Sequence, residues 1–344
     1  MRWRNEIVVL VMLVVLALAN GAQAANKLVV YTYDSFVSWG PAKQIEAGFE
    51  KLYDVDVVFV APSSTGEMLA RLIAEMELGG TNADVFLGLS DTHLNRVQSR
   101  NVFRTIDTAK VPNLASIPKD LLFDASGQVL PFDHGYITLV YNTKAIKPEE
   151  LPKTFEDLTH PRFAKKIIAI DPRTSSVGHA FLMWTIDCYG EKGFADYWRR
   201  LSPNLLTIAG GWSAAYKMFT NGDAPIVVSY ATDTAYAVME GKGALYGVLT
   251  LEGAGYRQIE GMGIVRTSKN VEMAHAFINY LLSPEVQSLI PTTNWMYPAN
   301  PQAKLPAEWV KYAQPPQKWV RLDSKEVGNK EATWLREWSK AVSM

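Results

Sequence analysis

Short apolar runs rich in β-branched residues alternate along the chain with segments whose apolar side chains recur at helical spacing. In the first third, the runs at 28–32, 55–61 and 83–89 predict buried strands. Between them, 41–53 predicts a helix, and Ser64-Thr65-Gly66-Glu67 predicts the start of a second helix with a capping box. This strand–helix order predicts a parallel sheet with helices on both of its faces.

The same alternation returns in the second half. Runs at 166–171 and 225–230 predict strands, each followed by a helix. Two further segments, 136–141 and the glycine-rich 253–265, predict strands that cross between two lobes. We therefore expect an α/β fold of two lobes with a ligand cleft between them, at the carboxyl ends of the strands. The expected lobes are 25–134 with 258–344, and 135–257.

The N-terminus has the pattern of a secretory signal peptide. Arg2 and Arg4 precede a 13-residue apolar run, and Ala22-Gln23-Ala24 offers small residues at a cleavage site. The apolar run is short for a bilayer span, although a single membrane anchor is the alternative. We expect residues 1–24 to be removed and the mature protein to be periplasmic.

Composition excludes several classes of protein. A chain of 344 residues that is 48% hydrophobic is too long for one small core and too apolar for disorder. A formal net charge of -1 provides no broad basic field, so we expect no nucleic-acid partner. The mean hydropathy of -0.03 excludes a polytopic membrane protein. Cys188 is the sole cysteine, which excludes an intrachain disulfide, and its place within a predicted apolar helix predicts an inert buried thiol.

Catalytic signals are sparse. The five histidines, at positions 93, 134, 160, 179 and 275, show no metal-ligand spacing, and each is interpreted as a surface or packing residue. Nucleotide-binding, nucleophile-elbow and calcium-loop motifs are absent from the sequence. We therefore expect no catalytic residues, no metal and no cofactor.

Aromatic residues at predicted strand ends and glycine-rich turns are the strongest chemical signal. They are Tyr33, Trp39, Trp212, Tyr230, Tyr236, Trp295 and Tyr297. Each one alone is as well explained as core filler, but together they suit stacking on a flat ligand or facing a cation. Trp309, Trp319, Trp334 and Trp338 lie in the tail and are interpreted as packing residues.

Two hydroxyl clusters accompany these rings. Ser63-Ser64-Thr65-Gly66 and Thr174-Ser175-Ser176 each precede a predicted helix, one in each expected lobe. Free backbone N–H groups at a helix start bind oxygen anions, so these clusters fit a phosphate or hydroxyl end of a ligand. Ordinary helix capping is the alternative.

Several of these segments together resemble the periplasmic thiamine-binding proteins of ABC importers. The motifs that carry the resemblance are Asp171-Pro172-Arg173-Thr174-Ser175, Gly211-Trp212-Ser213 with Ala215-Tyr216, and Asn294-Trp295-Met296-Tyr297-Pro298. The resemblance covers nearly the whole chain. It implies a two-lobed periplasmic binding protein with two crossover strands. It also implies that thiamine or one of its phosphates binds between the lobes, and that a monomer delivers it to a membrane ABC permease with its ATPase.

The resemblance also implies roles for individual residues. It implies ring stacking on the ligand by Trp212, Tyr230, Tyr236 and Trp295. It implies polar contacts with the ligand from Ser175, Ser176, Thr232 and Asp233. Where the family has an acidic residue followed by glycine, this chain has Ser64 and Thr65. Hydroxyls tolerate a phosphate that a carboxylate repels, so this departure would favour a phosphorylated form. The predicted ligand-binding residues are Tyr33, Ser64, Thr65, Ser175, Ser176, Trp212, Tyr230, Thr232, Asp233, Tyr236 and Trp295.

Two other functions remain open at the level of sequence. A thiamine-degrading enzyme on the same scaffold would need Cys188 in the cleft beside a general base. A ferric-ion carrier would typically need paired tyrosines, whereas the strand end at Tyr230 offers one.

Overall fold

The computed structural model describes residues 27–343, and the predicted signal peptide lies outside this range. The strands are β1 (Lys27–Tyr31), β2 (Asp56–Val60), β3 (Val85–Ser90), β4 (Val129–Asn142), β5 (Ile167–Ile170), β6 (Leu205–Ala209), β7 (Ile226–Tyr230), β8 (Tyr246–Leu249), β9 (Ala254–Ile264), β10 (Tyr297–Pro298) and β11 (Lys318–Val320). The α-helices are α1 (Asp34–Ser38), α2 (Ala42–Leu52), α3 (Thr65–Glu77), α4 (Leu94–Gln98), α5 (Ser176–Leu201), α6 (Trp212–Asn221), α7 (Asp233–Met239), α8 (Val271–Leu281), α9 (Pro284–Gln287), α10 (Ile290–Thr293), α11 (Ala307–Tyr312) and α12 (Ser324–Val342).

The main path of the sheet runs in the order β2-β1-β3-β9-β4-β7-β5-β6. At one end β1 is parallel to β2 and β3, and at the other β5 is parallel to β6 and β7. Between these groups β9 is antiparallel to both β3 and β4, and β4 is antiparallel to β7. The sheet is therefore mixed, and the prediction of a parallel sheet was wrong for its centre.

The two long central strands explain this difference. Residues 129–137 of β4 pair with β9, whereas 137–142 pair with β7 and β8. Because β4 changes partners along its length, it belongs to both groups of strands. Its neighbours β9 and β7 are antiparallel to it, so the centre of the sheet is antiparallel. We call β1–β3 with α1–α4 and α8–α10 the first lobe, and β5–β7 with α5–α7 the second lobe.

Each lobe has its own apolar core, and the last helix contacts both lobes. Trp334 and Trp338 of α12 are buried in the core of the second lobe, where Trp338 packs edge-on against Trp198 at 5.8 Å between ring centroids. On another face of α12, Glu331 pairs with Arg96 of α4 in the first lobe. The residue bounds predicted for the lobes remain a prediction.

The described chain contradicts two predictions about burial. Trp319 is 48% exposed on the short strand β11, and its ring lies 4.7 Å from the Arg257 guanidinium, so it is not a packing residue of the core. Cys188 is also exposed, because it lies past the buried part of α5 and just before the break at Gly190, where φ is +67°. Partial burial and neighbouring carboxylates raise the pKa of the Cys188 thiol, which favours its unreactive protonated form.

None of the helices within residues 27–343 has the length and apolar character that crossing a membrane would require.

Candidate ligand-binding cleft

A cleft of about 720 Å³ lies between the two lobes, at the ends of β1 and β7 and at the starts of α3, α5, α6 and α7. All eleven predicted ligand-binding residues line it: Tyr33, Ser64, Thr65, Ser175, Ser176, Trp212, Tyr230, Thr232, Asp233, Tyr236 and Trp295. The structure therefore brings together residues that are up to 262 positions apart in sequence, from Tyr33 to Trp295. That they bind a ligand stays a prediction.

The rest of the lining consists of Trp39, which the sequence indicated only as one of the strand-end aromatics, and of residues that the prediction missed, which are Asp34, Ser35, Val177, Tyr216, Glu260, Asn294 and Met296. A signal for Tyr216 was available, because it lies four residues after Trp212 and thus on the same face of a helix. Glu260 carried no such signal, since it lies within the crossing strand β9 and reaches the cleft only through that strand's pairing with β3 and β4.

Aromatic rings form one wall of the cleft. Trp212 and Tyr216 are stacked, with centroids 4.7 Å apart and planes at 22°. The Trp212 indole N–H donates to Ser229 Oγ at 3.0 Å, which fixes the ring's orientation. From the first lobe, Trp39 packs edge-on against Trp212 at 5.8 Å and remains 49% exposed. The two lobes thus meet through aromatic contacts beside the cleft.

A second aromatic pair continues this wall, since the Tyr236 ring lies 6.0 Å from that of Tyr216 between centroids. Tyr236 of the second lobe meets Trp295 of the first lobe edge-on at 5.0 Å. The Trp295 backbone has φ +56°, in the left-handed region that non-glycine residues seldom adopt. Such strain persists where surrounding contacts enforce it, and it concentrates at functional sites. Lys242 Nζ donates to the Tyr236 hydroxyl at 2.7 Å and holds that ring from the outside.

Two helix starts approach each other at the cleft. Ser64 precedes α3, but its side chain makes no cap, so the predicted capping box was wrong. Its hydroxyl donates instead to the carbonyl of Thr174 at 2.6 Å, across the interface between the lobes. Gly66 permits this approach, because a Cβ there would lie only 2.3 Å from the Thr174 carbonyl oxygen. The free N–H groups and positive dipole ends of α3 and α5 are thereby directed to one place, which suits an anionic or hydroxyl group.

The charged residues of the lining are acidic. Asp34, Asp233 and Glu260 line the cleft, and within residues 27–343 no lysine or arginine does. Burial raises the pKa of Asp233 to about 7 and that of Glu260 to about 7. Behind the lining, burial and the neighbouring Glu260 raise the pKa of Asp133 well above its usual range. Such a cleft favours a cationic or neutral group over an anion at this end.

A buried histidine–carboxylate cluster lies away from the cleft, and sequence spacing gave no sign of it. Atoms of His93, His179 and Glu331 that could hold a metal lie within 4.8 Å of one another. Both carboxylate oxygens of Glu331, however, accept hydrogen bonds from Arg96, and one of them lies 2.8 Å from His179 Nε2. Glu331 is thus already paired, and the cluster joins α12 to both lobes.

The sequence profile of the family described as "Bacterial extracellular solute-binding protein" matches residues 80–323. The chain belongs to this family. Its predicted two-lobed fold and its predicted family resemblance are both confirmed.

Three relatives illustrate how close the match is. A "Thiamine-binding periplasmic protein" of Brucella abortus is 36% identical over 96% of this chain and 96% of its own length. A protein of the same description from Salmonella typhimurium is 33% identical over 94% of this chain and 96% of its own. The solved structure of a "Periplasmic thiamin binding protein" superposes with a TM-score of 0.84 at 31% identity, over 94% of this chain and 98% of that one.

Proposed function

We propose that this protein captures thiamine, or thiamine mono- or diphosphate, in the periplasm and delivers it to an ABC permease of the inner membrane. The observation that carries the proposal is the composition of one cleft. Aromatic faces, buried carboxylates and two helix starts meet there, and no basic side chain of residues 27–343 lines it. Thiamine presents a flat aminopyrimidine, a cationic thiazolium and a hydroxyl or phosphate end. The printed descriptions of the relatives support the same ligand.

Each part of the cleft matches one part of this ligand. Trp212 and Trp295 both line the cleft, and a desolvated cation over such a ring gains about 0.5–2 kcal/mol. Thr65 and Ser176 begin α3 and α5, whose free N–H groups suit the hydroxyl or phosphate end. We propose that the cationic thiazolium, which bears the hydroxyl or phosphate arm, lies beside the acidic side chains of the lining.

Contacts between the lobes support a role in transport. Trp39 on Trp212 and Ser64 on Thr174 join the lobes beside the cleft, so closure around a ligand would bury it. A permease that recognises this closed form would receive only loaded protein. We propose that the mature protein is a monomer released after Ala24 and that it binds its solute without transforming it.

The two alternatives lack support in the cleft. Cys188, which a thiamine-degrading enzyme would use, is not among the lining residues. A ferric-ion carrier would need phenolate ligands, but the Tyr33 hydroxyl donates to Glu260 at 2.9 Å. Burial and nearby carboxylates also raise the pKa of both Tyr33 and Tyr230 well above the ordinary value for tyrosine.

Isothermal titration of the mature protein with thiamine, its monophosphate and its diphosphate tests the proposal. We expect saturable binding of at least one of the three at one site per chain. No heat and no mass shift with any of them, for a protein shown to be folded, would refute it. Incubation with thiamine and a nucleophilic amine should leave the vitamin intact.

A further inference from the structure

Three buried acidic residues lie at the cleft, Glu260 and Asp233 in its lining and Asp133 behind it, and we call them the acid group. Their exposed fractions are 0%, 4% and 3%. Asp133 on β4 and Glu260 on β9 are direct partners in the sheet. Tyr33 donates to Glu260 at 2.9 Å, and Asn294 donates to Asp133 at 2.8 Å and to the Tyr33 oxygen at 3.0 Å, so the four side chains form one chain of hydrogen bonds.

In the part of the chain that the structure describes, no lysine or arginine forms an ion pair with any of these three carboxyl groups. Within residues 27–343, Asp133 Oδ1 and Asp233 Oδ2 are buried without a hydrogen-bond partner. Tyr230 lies near all three acids but carries no charge itself. The titratable and charged side chains that face the group from the surrounding elements are Tyr33, Asp91 with its partner Arg321, Tyr216, Tyr230, Tyr236 and Tyr246.

Nearby cations are committed elsewhere. Arg257 donates to Asp120 at 2.8 Å, and Lys242 donates to the Tyr236 hydroxyl. Arg321 lies 3.7 Å from Asp91, which is a fourth buried acid beside Glu260. An empty cleft therefore keeps protons on part of the acid group, because several unpaired carboxylates cannot all be ionised in a dry site.

We propose that Asp133, Glu260 and Asp233 together supply the counter-charge for the cationic part of the solute, and that capture of the cation releases protons from these three side chains. The inference rests on the proposed function, since thiamine carries the required fixed positive charge. A neutral solute of the same shape would be bound without proton release. The acid group thus determines specificity by charge, whereas the aromatic rings select for shape.

The sign of the pH dependence follows from linkage. Burial raises the pKa of Glu260 and that of Asp233 to about 7 in the empty cleft. A bound cation favours the ionised carboxylates and lowers these pKa values in the complex. Affinity therefore rises with pH up to about 7 and is constant above it, with about a tenfold gain per pH unit for each proton released.

Calorimetry in two buffers measures this directly. Thiamine is titrated at about pH 6 into the mature protein in buffers of low and high ionisation enthalpy, such as MES and ACES. A neutral isostere, in which an uncharged ring replaces the thiazolium, is titrated in parallel. We expect the thiamine heat to depend on the buffer with the sign of proton release, and the isostere heat to be the same in both buffers.

Single substitutions identify which side chains release the protons. Glu260→Gln should reduce the release and flatten the pH dependence of affinity, whereas Glu308→Gln, at an exposed site on α11, should change neither. If Glu260→Gln does not fold, Asp233→Asn provides the same test. Thiamine binding with a buffer-independent heat would overturn this inference and leave the proposed function standing. Failure of thiamine and both phosphates to bind at any pH would overturn both.

Discussion

Two buried carboxylates in this protein, Glu331 and Glu260, have opposite surroundings. Glu331 accepts hydrogen bonds from Arg96 and lies 2.8 Å from His179 Nε2. Although burial raises its pKa, the bonds from His179 and Arg96 outweigh this effect and hold the pKa of Glu331 well below its usual range. For Glu260, burial and the neighbouring Asp91 raise the pKa to about 7, although the hydrogen bond that Tyr33 donates to it acts in the opposite direction.

These different surroundings indicate a structural role for Glu331 and a ligand-binding role for Glu260. A buried charge with its partners already present joins elements of the fold. A buried charge without a partner costs free energy in the empty protein, and it is retained where a ligand completes it. Glu331 belongs to the first kind, because it joins α12 to both lobes. Glu260 belongs to the second kind, because it faces a cleft that residues 27–343 line without a basic side chain.

The largest expected effect comes from removing the charge of Glu331 in its cluster with His93 and His179. Glu331→Gln removes the charge that Arg96 and His179 share, and we expect it to lower the free energy of unfolding by about 3 kcal/mol. Chemical denaturation measures this loss. Glu326→Gln, on the same helix but exposed, is the control and should change stability by less than about 0.5 kcal/mol. Affinity for thiamine per folded molecule should be unchanged; a hundredfold loss would instead make Glu331 part of the binding site.

On the cleft side, Trp295→Ala should weaken binding much more than it weakens the fold. Loss of a desolvated stack of about 1.5–3 kcal/mol raises the dissociation constant roughly tenfold to a hundredfold. The melting temperature of the empty protein should fall by only a few degrees, because Trp295 is not among the fully buried side chains. Trp319→Ala removes an exposed tryptophan outside the cleft and should leave affinity unchanged. A large loss of stability with unchanged affinity would make Trp295 a core residue.

The raised pKa of Glu260 makes the stability of the empty protein fall as pH rises, whereas the lowered pKa of Glu331 has the opposite effect. The folded-state pKa of Glu260, about 7, lies above its unfolded value, so the folded protein binds more protons. Stability should be highest below the unfolded pKa, fall as pH rises to about 7, and level off beyond it, with a total change of a few kcal/mol. Glu260→Gln should remove part of this slope in denaturation curves recorded across that range. A slope equal to that of the wild type would show that Glu260 is not one of the groups responsible.

The smallest expected effect is a change in intrinsic tryptophan fluorescence. Stacking of a ligand on Trp212 and Trp295 should quench the intrinsic tryptophan fluorescence, and only partly, because the chain has ten tryptophans. Titration with thiamine at saturation measures this change. An unchanged spectrum, with binding demonstrated separately, would remove both rings from the site.

The sequence was sufficient to predict what depends on local pattern. Apolar runs located the strands β1, β5 and β7, and aromatic side chains at strand ends, such as Tyr33 and Tyr230, do line the cleft. The resemblance to a known family added the polar residues, including Asp233. These side chains meet because the ends of parallel strands lie together at one edge of a sheet.

What depended on long-range pairing could not be predicted. Glu260 and Asp133 meet only through the register of β4 with β9, and the sequence carries no sign of that register. The Ser64 hydroxyl donates to the distant carbonyl of Thr174, and in this orientation it accepts no capping hydrogen bond from the start of α3, which local sequence does not show. Trp319 is 48% exposed on β11, where the Arg257 guanidinium lies 4.7 Å from its ring, and no local pattern predicts this exposure.

The most direct test of thiamine capture is native mass spectrometry of the mature protein purified gently from the periplasm and then titrated with thiamine. We expect a one-to-one complex whose added mass is that of thiamine or one of its phosphates, and which persists when Trp319 is replaced but weakens when Trp295 is. A protein that carries iron, or that stays unliganded at saturating concentrations of thiamine and both phosphates, would contradict the proposed function.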